Sequence, residues 1–447
     1  MRNPTRSGFG NGGSVDALDL ALPRVLYLFL LFSTVALGAT LRFSELGAPA
    51  LWLDEILHVN KANQTLEEPW ISWIRGLKSD HENGPLYYGF QLASRLIAEE
   101  ETAARLAPAL FGTLSILIIG AAGRALGGPA VGAIAALLLA VSPLHVYYSR
   151  EGRPYSLVMF AVCILLWALL RRKAPISVLL AYTGCGIAAL TAALATPALG
   201  SACAVAAAGW VVASRGRQQT TDGESPPSSR INRHFLVAAL VGLGLVAFCY
   251  LSRTPDLASP AFGHDRPAGI TLPFSPVAYQ RILSSLSVSG TEWATFEPLA
   301  LLFWGLAAAG LFAAFRRDVL KGLVTGGMLL LTLISTLLAL EYLSRWYSIR
   351  YTSPALPAFT LLVSLGIVEL SRHLSKPLHK LTSPEWAGRL SLIAAAAATA
   401  LLAAPNLQSA RSEPYLKVDW RQPARILERF GIDGEMIIAS NGWTKTC

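Results

Sequence analysis

The chain has 447 residues and a formal net charge of +9, with 15% charged and 53% hydrophobic residues. Soluble domains carry about 25% charged residues, so this balance excludes a soluble globular enzyme and a disordered protein. The basic residues sit in short clusters between apolar runs, not in one stripe or tail, which excludes a nucleic-acid binder and suits a polytopic membrane protein.

A spanning helix needs about 20 mainly apolar residues. In chain order such runs occupy residues 24–41, 106–123, 129–148, 155–170, 176–194, 197–213, 235–251, 298–315, 322–340, 352–370 and 389–404. The fold class is therefore an all-α polytopic membrane protein of about eleven transmembrane helices. Residues 1–23 are polar, weakly basic and followed by no small-residue cleavage site, so the first helix reads as uncleaved. The segment 85–98 is short for a span and contains Arg95, so it reads as a surface helix in the first loop.

Loop charge sets the orientation. With 85–98 on the surface, Arg124, Arg171 to Lys173, the arginines of 215–233, Arg316, Arg317, Lys321, Arg372, Lys376 and Lys380 all share the side of the N-terminus. That side is then cytoplasmic. Segment 1–23 is a cytoplasmic lead-in, and 24–405 is the membrane domain, with outer loops 42–105 and 252–297 and a Ser- and Pro-rich cytoplasmic linker at 214–233. The tail 406–447 lies outside, with a helix expected near 420–430 and a strand near 435–440. One helix and one strand do not close a core, so this small α/β-like tail reads as a truncated domain or as a segment packed on the outer loops. The expected location is a plasma (inner) membrane, in the cell envelope. Cys163, Cys185, Cys203, Cys249 and Cys447 show no metal or disulfide spacing and read as small apolar side chains.

Polar clusters gather on the outer face. Leu51-Trp52-Leu53-Asp54-Glu55 places two carboxylates just beyond the first span. They suit a general base or a cation ligand, and equally an acidic helix start, with Asp54 as N-cap of a surface helix over 55–66. Ser79-Asp80-His81-Glu82-Asn83-Gly84-Pro85-Leu86-Tyr87-Tyr88 reads as a substrate- or metal-holding turn, or as a solvated turn before a helix that opens at Pro85. Tyr147-Tyr148-Ser149-Arg150-Glu151-Gly152-Arg153-Pro154-Tyr155 holds two arginines that can grip phosphate oxygens, a third carboxylate and an aromatic belt. Arg350-Tyr351 puts an arginine at an outer boundary, where the charge rule disfavours one; it suits a lipid phosphate or ordinary interfacial anchoring.

These motifs, with Arg105-Leu106-Ala107-Pro108-Ala109-Leu110-Phe111-Gly112, resemble the C-type (GT-C) membrane glycosyltransferases. The nearest branch is the bacterial protein O-mannosyltransferase and lipid A aminoarabinose-transferase group. The resemblance is specific over the first third and weaker at Arg350-Tyr351 and Asp419-Trp420-Arg421. It implies a GT-C fold with surface helices in the first outer loop and a catalytic cavity on the outer face. It implies transfer of a sugar from a polyprenyl-phosphate carrier to a protein, lipid or polysaccharide acceptor, with the lipid phosphate as leaving group. Asp54, Glu55 and Glu151 map to the acidic catalytic positions, and Arg350 to the phosphate contact. Arg150, Arg153 and Tyr351 join the phosphate group, while His81, Glu82, Tyr87 and Tyr155 orient substrate. A divalent cation, Mg or Mn, at Glu82 and Glu151 is implied by some members. The expected partners are the polyprenyl-phosphate sugar, membrane lipids and an acceptor, with no nucleic acid. The family's residues before Leu-Tyr differ from Asn83-Gly84-Pro85 here. Two other readings are a secondary transporter, disfavoured because polar residues cluster at one face and not at mid-span, and a catalytically inactive assembly subunit.

Overall fold

The computed structural model describes residues 22–67, 83–171, 176–215, 227–250, 272–287, 298–342, 347–375 and 384–412. Within them the protein is helical. It runs α1 (Arg24–Phe43), α2 (Leu53–Glu67), α3 (Pro85–Arg95), α4 (Glu100–Gly127), α5 (Pro129–Val141), α6 (Pro143–Ser149), α7 (Tyr155–Leu170), α8 (Ile176–Thr191) and α9 (Thr196–Arg215). It continues with α10 (Pro227–Tyr250), α11 (Pro276–Ser285), α12 (Pro298–Arg317), α13 (Val319–Tyr342), a 3₁₀ segment (Ile349–Ala355), α14 (Leu356–Ser375) and α15 (Pro384–Ser412). The expected tail elements beyond residue 412 lie outside the described residues.

Among the described residues seven helices are long and apolar enough to cross a membrane, and the bent pair α5–α6 makes an eighth if it is one span. Three shorter apolar helices, Tyr155–Leu170, Ile176–Thr191 and Arg233–Ala247, accompany them. The protein is thus a multi-pass membrane protein. The described parts of the eleven expected runs are helical apart from breaks at Ser142 and Ala192, although length and composition alone qualify fewer of them as spans.

Most of α7 and the first part of α14 are buried, as expected of helices apolar on every side. Helix α4 packs on α1, α5 and α7; α7 on α8; α9 on α10 and α13; and α12 and α15 on α14. Without a hydrophobic drive between helices in lipid, close backbone approach carries much of the packing. Helices α12 and α14 cross so tightly that a Cβ on Gly310 would lie 1.9 Å from the Leu362 carbonyl oxygen, and one on Gly366 2.0 Å from that of Leu306.

Two expectations are corrected. Residues 129–148 do not form one straight helix, because α5 and α6 meet at 60°. Pro143 has no N–H to continue the ladder, and the extended Ser142 restarts the helix, its Oγ accepting the His145 N–H at 3.5 Å. Nor is Asp54 an N-cap, since α2 begins one residue earlier. Glu55 takes the capping part instead, reaching back to accept the Trp52 N–H at 3.3 Å.

The buried Arg42 secures the bend. It donates to the carbonyls of Gly38 (2.8 Å), Ala140 (3.0 Å) and Leu139 (3.2 Å), and its Nη2 lies 2.9 Å from His145 Nδ1. Arginine at the C-terminal carbonyls of α5 also complements that helix's dipole. Three of the basic loops meet elsewhere. Arg317 and Arg372 pair with Glu369, and Lys321 donates to the Leu126 carbonyl at 2.9 Å.

Candidate active site

The site is framed by a salt bridge between the first loop and α4. Glu55 is fully buried and accepts from Arg105 twice, at 2.9 Å (Nε to Oε1) and 2.6 Å (Nη2 to Oε2). Arg105 spends its remaining donors on the carbonyls of Leu46 (3.1 Å), Pro49 (2.7 Å) and Ala50 (2.9 Å). Such a bidentate, fully hydrogen-bonded pair is the arrangement in which a buried ion pair offsets its desolvation. Glu55 also accepts the Gly152 N–H at 2.7 Å, while the Gly152 carbonyl accepts from the Tyr87 hydroxyl. The fit at Gly152 is close, since a Cβ would lie 3.1 Å from the Ala104 oxygen and 3.3 Å from Glu55 Cγ. Gln91 donates to the Tyr87 oxygen at 2.6 Å. Burial holds the Tyr87 hydroxyl well above its ordinary pKa, against the opposing pull of Arg153, so it stays a donor.

This frame sets the residue after Gly152. Arg153 Nη1 lies 3.3 Å from Asp54 Oδ2, and Arg350 Nη1 reaches the same oxygen at 3.7 Å. Each guanidinium is held by a tyrosine. Arg153 donates to the Tyr155 hydroxyl from Nη2 (2.8 Å) and Nε (3.2 Å), and Arg350 lies over the Tyr351 ring at 5.1 Å. Burial opposes the charge on Arg153, but Tyr155, Asp54 and Glu151 outweigh it and raise its pKa above the ordinary value.

His58 completes the cluster from the same face of α2 as Asp54, one turn on. Its Nδ1 meets the Asp54 carbonyl oxygen, and Asn83 Nδ2 lies 2.6 Å from its Nε2. The acceptor at Nδ1 and the donor at Nε2 assign the proton to Nδ1. Arg153 Nη1 lies 3.3 and 3.4 Å from the two ring nitrogens, and the Tyr88 ring stacks on His58 with centroids 6.3 Å apart. Asn83 and Gly84 are pinned to the break between α8 and α9 by a bridge to Ala192 and by the Gly84 N–H on the Thr191 carbonyl at 2.8 Å.

The structure therefore brings Asp54, Arg153, Arg350, Tyr155 and Tyr351 together, with Glu151 in the field of Arg153. It places Glu55 and Tyr87 in the buried frame behind them. Arg150 turns elsewhere, donating to the Leu41 carbonyl at the end of α1 at 3.1 Å. His81 and Glu82 lie outside the described residues. No three His, Cys, Asp or Glu side chains converge on a metal-sized position among the described residues. Sequence reasoning passed over Arg105, His58 and Asn83 as site residues. Only the Asp54-to-His58 spacing of four on a helix offered a signal, because the partners of Arg105 lie at least 50 residues away.

Residues 85–222 match the family described as dolichyl-phosphate-mannose-protein mannosyltransferase. A search of curated proteins gives no match. Among solved structures the chain is similar to ArnT from Cupriavidus metallidurans bound to undecaprenyl phosphate, at 14% identity and a TM-score of 0.55, covering 93% of this chain and 81% of that one. It is also similar to the Archaeoglobus fulgidus oligosaccharyltransferase in complex with Zn and sulfate, at 12% identity and a TM-score of 0.51, covering 91% of this chain and 56% of that longer one. The chain thus shares the fold of ArnT, a multi-pass membrane protein, and within that fold residues 85–222 carry the protein mannosyltransferase family pattern.

Proposed function

We propose that the protein transfers a sugar from a polyprenyl-phosphate carrier to an acceptor hydroxyl at the outer surface of the membrane. The observation that carries this reading is the meeting of two tyrosine-held arginines on the carboxylate of Asp54. The undecaprenyl phosphate bound to the similar ArnT structure supports a lipid-phosphate donor.

In this reading Arg153 and Arg350 bind the donor phosphate. Asp54 takes the acceptor's proton as the acceptor oxygen attacks the anomeric carbon. The bond from that carbon to the phosphate oxygen breaks, and its electron pair leaves with the lipid phosphate. Charge grows where the guanidiniums are aimed, which is electrostatic stabilisation by groups already in place. Phosphate is a fair leaving group, so alignment and charge screening suffice and no nucleotide-binding loop is needed. Tyr155 and Tyr351 hold the arginines, while Glu55 and Tyr87 hold the loop that carries Arg153. Glu151, together with Glu82, is the carboxylate that would hold a divalent cation, which would screen phosphate charge.

The test uses protein in lipid nanodiscs, incubated with a panel of polyprenyl-phosphate sugars and an acceptor extract. Polyprenyl phosphate release is expected from wild type and is expected to fall about 10²–10⁴-fold in Asp54→Asn, the range of a lost general base. If no donor is turned over and none stabilises the protein thermally, the reading is wrong.

A further inference from the structure

The adjacent carboxylates of the first loop make ion pairs of opposite construction. Glu55–Arg105 is buried, bidentate and short, at 2.6 and 2.9 Å. Asp54 offers a single oxygen to two guanidiniums at 3.3 and 3.7 Å, and it is the most exposed of the three side chains, at 27% against 6% for Arg153 and 17% for Arg350. The arginines are steadied by the Tyr155 hydroxyl and the Tyr351 ring, neither of which depends on an anion being bound. The first pair is built to stay and the second to exchange.

We infer that Asp54 is also the resident anion of the donor-phosphate site: without donor its carboxylate acts as counter-ion to Arg153 and Arg350, and phosphate binding displaces it from them and so frees it to act on the acceptor. This rests on the donor reading proposed above. The charges balance throughout. A sugar-phosphate diester carries one negative charge and the Asp54 carboxylate another, facing two guanidiniums. When the acceptor's proton passes to Asp54, the carboxyl becomes neutral. When the bond from the anomeric carbon to oxygen breaks, the lipid phosphate gains a second negative charge. The arginines face two negative charges before and after, and Glu151 beside Arg153 is unchanged. After Asp54 returns its proton to water, the carboxylate competes again for the arginines and drives the product off. Asp54 thus has a second, positioning role: it sets how tightly the site holds phosphate.

The consequence is unusual for a base, since removing its charge strengthens ligand binding. Farnesyl phosphate, with farnesol as the uncharged control, is titrated into nanodisc-held wild type and Asp54→Asn. The expected result is at least about tenfold tighter binding of farnesyl phosphate to Asp54→Asn, with farnesol unchanged. Equal or weaker binding to the variant, with wild type binding normally, overturns the inference and leaves the donor reading standing. Binding of farnesyl phosphate to neither protein overturns both. Should Asp54→Asn fail to fold, the wild type labelled with ¹³C-aspartate serves instead. Farnesyl phosphate is expected to shift a carboxylate infrared band that farnesol leaves in place, and an unshifted spectrum in the presence of bound phosphate overturns the inference.

Discussion

Asp54 and Glu55 look alike in the sequence, yet their surroundings give them separate tasks. Glu55 accepts from Arg105, Gly152 and Trp52 and has no face toward solvent. Removing one partner of such a pair strands a buried charge at a cost of about 3–5 kcal/mol. Arg105→Ala and Glu55→Gln are therefore expected to lower the melting temperature sharply in a detergent thermal-shift assay, whereas Asp54→Asn, which removes longer and more exposed ion pairs, should lower it less. A Glu55→Gln protein that melts like wild type would show that the pair does not frame the loop. His58 acts through its neighbours, touching Asp54, Asn83 and Arg153. His58→Ala is expected to raise the donor KM about tenfold with a smaller change in kcat, and His58→Gln to recover part of the loss. Equal effects of both variants on kcat alone would remove this positioning role. The carboxylates and arginines could be read in sequence because charge beside apolar runs stands out. Which carboxylate was structural could not, since the answer lies with Arg105, 50 residues on, and with Gly152, 97 residues on.

At the scale of elements, the apolar runs announced the helices and the Gly84-Pro85 step announced the start of α3. The 60° break at Ser142-Pro143 was hidden, because both flanks are apolar and a proline in a membrane helix is often tolerated with only a kink. What fixes the break is Arg42, from the first span, satisfying the carbonyls the bend leaves open. The crossing of α12 and α14 is equally invisible along the chain, since Gly310 and Gly366 lie far apart in sequence and meet only in space. Gly310→Val should force those helices apart, and loss of several degrees of thermal stability is expected, measured by the same assay. A neutral Gly310→Val would mean that the crossing yields without cost.

For the whole molecule, the charge rule predicts an N-terminus in the cytoplasm and an Asp54 cluster outside. The convergence of Arg317, Lys321 and Arg372 on the ends of α4, α12, α13 and α14 supports grouping those loops on one side. A tag fused after Cys447 is expected to be cut by protease added to intact spheroplasts, and a tag before Met1 to be protected. The reverse pattern would invert the molecule and place the site in the cytoplasm. Fold class followed directly from composition and run length. The site's assembly did not, because residues from α2, the 150–154 turn and the segment at 349–355 converge only once the helices are packed.

Nearly every contact that aims Arg153 at Asp54 comes from residues 46–155: Arg105 on the 46–50 loop, Gly152 on Glu55, Tyr87 on Gly152, and Tyr155 on the guanidinium itself. Arg350 joins them from far along the chain, and Thr191 and Ala192 support Asn83 and Gly84. The aim of Arg153 at Asp54 therefore rests mainly on one stretch of chain. Under the proposed function, a chimaera that exchanges residues 252–271 or those after α15 is expected to keep Arg153 aimed at Asp54, because none of the contacts named here comes from those segments.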